Sequence, residues 1–320
     1  MTTITPTTHR VPLMASALAL GSGIVWSLGA LAARLAGHAD AWQYLIWRSV
    51  GVIVVMEIVS RVRGGGWMTP RAFNQGRIMF VGVLGLLLAS LAFVYAIKNT
   101  TAANAAFLAS VTPLFAVVLS RVFLGERLSR VTVGALLLAL CGLSIMVVAD
   151  VGGGNMVGNV AALFSSFGFA VYTVCVRSEP NRDWSPILPG YASLMIVLCG
   201  VVTLIKGNPL LPPATDTTYA LLHGGALIVI GTIMFNVASR TVPAVAMTIL
   251  AQSEMAFVPF WIFLRFGEVP KPWTLVGGAI ILTAVVGKAV LDARPTATLH
   301  DRHSQDHVLE TPETGPGFIA

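Results

Sequence analysis

Runs of about 20 apolar residues recur along the chain, each closed by a short cluster of glycines, prolines or charges. A helix rises ~1.5 Å per residue, so about 20 residues cross the ~30 Å hydrocarbon core of a bilayer. The pattern predicts ten such helices, over 12–33, 41–60, 77–97, 101–123, 131–149, 157–177, 187–205, 218–237, 243–264 and 272–291. Breakers mark the joints: Gly37-His38-Ala39-Asp40, Arg63-Gly64-Gly65-Gly66, Gly152-Gly153-Gly154-Asn155 and the segment from Pro209 to Asp216. Residues 1–11 are polar, and the apolar run that follows exceeds the h-region of a signal peptide, so it reads as a retained first helix. From residue 292 to 320 the composition turns to Pro, Thr, His and Asp, the mark of a disordered tail.

Composition turns this pattern into a fold class. Hydrophobic residues make up 56% of the 320 and charged residues 11%, where a soluble domain carries about 25% charged. The expected fold is an all-α integral membrane protein. The net charge of +6 comes from arginines scattered over short loops, without the basic stripe and interleaved aromatics that nucleic acid requires. With the N-terminus inside, the predicted cytoplasmic segments hold 14 Lys and Arg, from Arg10 to Arg302. The outer segments hold five, Arg34, Lys98, Lys206, Arg265 and Lys271, while Arg48 lies within a helix. That bias predicts both termini inside and residence in the plasma membrane, the inner membrane in a bacterium. Trp42, Tyr44, Tyr219, Trp261 and Trp273 fall near the predicted outer ends, where amphipathic rings settle. Cys141, Cys175 and Cys199 sit in apolar runs without ligand spacing and predict neither a disulfide framework nor a metal site.

An internal echo organises the ten helices. Phe123-Leu124-Gly125-Glu126-Arg127-Leu128 ends the fourth, and Arg265-Phe266-Gly267-Glu268-Val269-Pro270 ends the ninth. The chain therefore divides into five-helix halves over 12–149 and 157–291, and an odd number of spans per half forces opposite orientations. Trp47-Arg48, Pro113 through Leu124-Gly125-Glu126, and Ser253-Glu254 through Gly267-Glu268 resemble the EamA-type transporters of the drug/metabolite transporter superfamily. The resemblance covers about residues 12–291. It implies a ten-helix inverted-repeat carrier that moves small organic metabolites, often outward. Many members place Pro after the ninth-helix carboxylate; here Met255 follows Glu254, and Pro259 offers a later bend.

Glu254 is the leading candidate for chemistry. It lies ~15 Å in from Ala244, near the bilayer midplane, where a carboxylate costs at least ~2.5 kcal/mol unless it has a partner or a task. Its functional reading is a titrating or substrate-binding carboxylate; the alternative is a structural bond to a neighbouring helix. Arg48 lies ~9 Å below the outer edge, placed to pair with Glu254, to bind an anionic group on the solute, or to snorkel outward. Trp26 and Ser27, among Gly21, Gly23 and Gly29, offer either a stacking wall for an apolar or aromatic solute or simple packing in the bundle. Asn104, Gln252 and His223 are polar residues within spans, as pathway lining or interhelical bonds; His223 is expected close enough to the outer surface to be hydrated. Glu126 and Glu268 are expected to bond the starts of the following helices, and Glu57 and Arg61 to pair at i,i+4. The glycines at 152–158 lack a P-loop Lys, Asn99-Thr100-Thr101 is too close to the membrane for easy glycosylation, and His300, His303 and His307 are a loose cluster in the tail.

The expected function is secondary transport of a small organic solute, outward or by exchange, through alternating access. No ATP motif, cofactor or metal site is expected, and no catalytic set argues for an enzyme. The expected partners are the solute and the bilayer, with a proton as candidate coupling ion and a second copy of the chain as candidate subunit. The competing readings are an inward carrier for a vitamin or nucleotide-like metabolite, a membrane-embedded enzyme acting on lipid or an isoprenoid, and a channel, which would need polar rings around a pore.

Overall fold

A computed structural model describes residues 12–99, 108, 111–148, 156–267 and 272–293. Among these every regular element is helical: α1 Leu13–Leu35, α2 Ala41–Val62, α3 Met68–Asn74, α4 Arg77–Asn99, α5 Thr112–Phe123, α6 Arg130–Val148, α7 Met156–Ser178, α8 Ile187–Ile205, α9 Ala214–Ala238, α10 Ala244–Ala251, α11 Ser253–Phe266 and α12 Pro272–Ala293. Six segments are long and apolar enough to cross a membrane: α1, α4, α7, α8, α9 and the α10–α11 pair. Thr112–Phe123, Arg130–Ile145 and Leu275–Leu291 are shorter apolar helices. The all-helical membrane fold expected from the apolar windows is therefore present.

Three local departures have physical causes. α3 was not expected; it forms because Glu57 of α2 accepts hydrogen bonds from the first N–H groups of that short helix. α9 begins at Ala214 rather than 218, since Pro213 precedes a polar first turn, Ala-Thr-Asp-Thr, that an apolar window overlooks. His223–Ile228 within it is wound as a π-helix. The ninth predicted span is interrupted at Gln252 and then runs unbroken through position 259. Gln252 has φ −62° and ψ −11°, and the step is tightened by Gln252 N–H to Ile249 O (3.1 Å) and Met255 N–H to Gln252 O (3.0 Å). Of the predicted helix 101–123, residues 101–107, 109 and 110 lie outside the described residues.

Packing crosses between the two halves of the sequence. α1 lies against α9, α10 and α11; α2 against α8 and α9; α4 and α5 against α7; and α6 against α12. The central core accordingly draws Leu45, Val52 and Met56 from α2, Tyr172 from α7, Tyr191 and Met195 from α8, Phe235 from α9 and Leu250 from α10.

Candidate functional site

The α2 helix starts from a capping box in which Asp40 and Gln43 exchange side-chain and backbone bonds. That start fixes Arg48 two turns in, ~10 Å below the helix end. Arg48 is 7% exposed. A hydrogen bond runs from its Nη2 to Ser90 Oγ on α4, and its buried Nε–H has no acceptor among the described residues. Tyr191 and Cys199 of α8 and His223 of α9 lie within reach of its charge.

One turn before Arg48, the Tyr44 hydroxyl bonds His223 Nδ1 at 2.8 Å. His223 is buried, not hydrated as expected, because the earlier start of α9 carries it between α1 and α2. Close backbone approach makes this arrangement fit. A Cβ on Gly224 would run into the Arg48 carbonyl, one on Gly51 into Leu221 O, and one on Gly29 into the His223 ring. Glycine at these positions lets α1 and α2 close on the π-turn.

Glu254 stands in the first turn of α11, partly buried. Among the described residues its carboxylate joins no hydrogen bond or ion pair; the expected alternative of an Arg48–Glu254 pair is not formed, Arg48 being turned to Ser90. The interruption before Glu254 is moored to α1: Ser253 Oγ donates to Leu20 O at 2.7 Å. A Cβ on Gly23 would meet Ser253 Oγ, Ala251 O and Glu254 N.

The same helix α1 carries Trp26 and Ser27, which face different neighbours. Trp26 packs edge-on to Phe169 (5.7 Å, 82°) and against Phe235 (5.4 Å), over Gly231. Ser27 Oγ donates to Ile24 O at 2.5 Å and accepts from Trp261 Nε1 at 2.8 Å. Trp261 and Tyr44, expected as interfacial anchors, are thus turned inward by their polar atoms, while Trp273 is exposed. Gln252 lines an apolar crevice with Pro113, Leu136, Leu143 and Ile281. Asn104 lies outside the described residues. Helix α1 therefore gathers Trp26, Ser27, His223 and Glu254 around itself, the latter two ~9 Å apart along its axis, as Gly23 and Gly29 are.

Sequence reasoning missed Tyr44, Ser90, Ser253 and Trp261 as members of this cluster. Tyr44 had a signal, since i,i+4 spacing puts it on the face of Arg48; Ser90 had none. Elsewhere Glu126 pairs with Arg177 Nε at 2.9 Å and accepts the Ala244 N–H at 3.0 Å. It therefore bonds the start of α10, not that of α6, the helix that follows it. Glu268 lies outside the described residues.

A buried guanidinium with an unused N–H and a partly buried carboxylate, both within apolar helices, are suited to holding charge on a solute or exchanging a proton. The sequence model of the EamA-like transporter family matches residues 13–148 and again 156–288. The chain belongs to that family. This EamA-like chain is a multi-pass membrane transporter. It is similar to the pseudopaline exporter of Pseudomonas aeruginosa, 27% identical over 206 residues, 64% of this chain and 72% of that protein. It is also similar to a probable terminal-alkyne amino-acid exporter of Streptantibioticus cattleyicolor, 25% identical over 255 residues, 74% of this chain and 82% of that one. A solved crystal structure shares the fold with a TM-score of 0.74 at 18% identity, covering 88% of this chain and 99% of the other.

Proposed function

We propose that the chain is a gradient-driven carrier that exports a small organic solute by alternating access, with Arg48 and Glu254 at the solute site. The carrying observation is that these two charges lie within apolar helices and are not neutralised by each other. An unpaired charge inside a bilayer costs at least ~2.5 kcal/mol, a burden retained where it has a task. The exporter names of both relatives favour the outward direction.

The proposal includes ten spans in two inverted halves, 12–149 and 157–291, with both termini cytoplasmic in the plasma membrane. The double match of the family model supports the halves. So does the packing, numbering the spans with α3 left out and α9 and α10–α11 as eighth and ninth. Exchanging each span for the one five places along turns the contact of spans three and six into that of eight and one, and the contact of four and six into that of nine and one. The pairs two–seven and five–ten map onto themselves, as a two-fold relation requires.

The test compares culture media from cells overexpressing the wild type and Glu254→Gln at matched membrane levels. One chemical class should accumulate with the wild type and fall to the vector level with the variant. Profiles identical to the vector in both cases would sink the export reading. Glu254 as a proton carrier further requires that an imposed pH gradient accelerate efflux from vesicles; indifference would leave it a solute ligand.

A further inference from the structure

We propose that Arg48 is a carboxylate-binding post, and that the transported solute bears a single negative charge that it offers to the free N–H of this guanidinium. The proposal rests on the carrier reading above and names the solute's charge class.

The guanidinium is anchored and incompletely used. Ser90 takes Nη2 and fixes the plane, leaving the buried Nε–H without an acceptor among the described residues. Arginine cannot shed its proton, so this positive charge persists at depth in the membrane. The neighbours within reach of its charge among the described residues are neutral polar groups: Tyr44, Ser90, Tyr191, Cys199 and His223 carry hydroxyl, thiol and imidazole groups. Among the described residues no acidic side chain forms an ion pair with it. A buried cation that the protein leaves unpaired is completed by an anion from outside, and charge-assisted bonds to guanidinium N–H groups favour carboxylate and phosphate alike. The number of charges decides between them. Glu254 stands about 9 Å farther along α1, so at its own end of the site this single cation, with no second Lys or Arg paired beside it among the described residues, balances a monoanion, whereas a phosphate dianion would leave an excess negative charge in the bilayer. The Nε–H is sealed in this conformation, so the carboxylate arrives while the halves are parted.

The experiment uses the purified full-length chain in detergent and thermal unfolding as readout. At about pH 8.5, where inorganic phosphate is nearly all dianion, acetate and benzoate are compared with acetamide and benzamide, which match them in shape but carry no charge, and with inorganic phosphate. The carboxylates should raise Tm by about 3 °C near ten times their Kd, with the amides and phosphate inert. Arg48→Met should abolish the rise. Without ligand it should melt no lower than the wild type, because it removes an uncompensated buried charge. Arg48→Lys, which keeps the charge but not the fork, should retain less than about half of the rise. Equal protection by amide or by phosphate would overturn the assignment. So would a large loss of Tm or failure to fold in Arg48→Met, which would make Arg48 structural. Carboxylate protection without solute export counts against the export reading alone; export without carboxylate protection counts against the post alone.

Discussion

Glu57 shows how a charged residue in an apolar helix is settled by backbone that arrives from elsewhere. Its i,i+4 spacing predicts a pair with Arg61, but its carboxylate accepts Met68 N–H at 2.9 Å, Thr69 N–H at 2.8 Å and the Thr69 hydroxyl at 2.7 Å. Arg61 instead lies over the Trp67 ring, 4.4 Å from its centroid. Removing the carboxylate by Glu57→Ala should cost about 1–2 kcal/mol, the scale of a lost helix cap. It should also free the amides of 68 and 69 for hydrogen exchange while leaving those of α8 protected. Unchanged exchange at 68 and 69 would mean that the carboxylate does not hold α3. The residue scale is where the sequence was least legible. Spacing identifies neighbours on one helix, such as Tyr44 and Arg48, and is blind to Ser90 or Thr69, whose proximity depends on how separate helices pack.

Helices themselves were legible, because apolar length is a strong signal: Ile187–Ile205 was read to the residue, and most other ends fell within one or two. The interruption at Gln252 was not, since no glycine or proline marks it; its stabilising contact, Ser253 to Leu20, lies 233 residues away. The π-turn at His223–Ile228 carries Gly224 and Gly225 but was hidden as well, being set by the fit of α9 to the backbone of α2. That fit gives a graded prediction. Gly224→Ala places a methyl against the rigid Arg48 carbonyl and should destabilise by about 1–3 kcal/mol. Gly225→Ala meets mainly Val55 Cγ2 at 2.8 Å, a side-chain tip that can turn aside, and should cost less. Gly37→Ala, with open space and no left-handed backbone, should be near neutral. Thermal unfolding of the three variants checks the order; equal losses at 224 and 37 would contradict the close approach of α2 and α9.

At the scale of the whole molecule, the two halves of the sequence find their main packing partners in each other, so the alternating access proposed above requires that specific contacts break at one end at a time. Glu126 and Arg177 form such a contact. Glu126 belongs to the first half, and it holds Arg177 and the Ala244 N–H of the second; Arg177 also donates to Ser239 O and Arg240 O, each at 3.1 Å. The pair is partly exposed, with side chains 23% and 19% accessible, so its Coulombic share is modest, roughly 1 kcal/mol or less. Under alternating access even that is enough to shift a two-state population about fivefold. Arg177→Met should therefore favour the conformation open at the 126–177 end. The native cysteines report it: Cys175 lies two residues from the clamp, while Cys199 lies near Arg48 and feels Asp40 at the other end. In backgrounds retaining one cysteine at a time, Arg177→Met should raise the labelling rate of Cys175 by N-ethylmaleimide about fivefold and lower that of Cys199. Local loosening would raise Cys175 alone. The reciprocal fall at Cys199 is what coupling of the two ends through the shared core requires, and its absence would separate this clamp from the transport cycle.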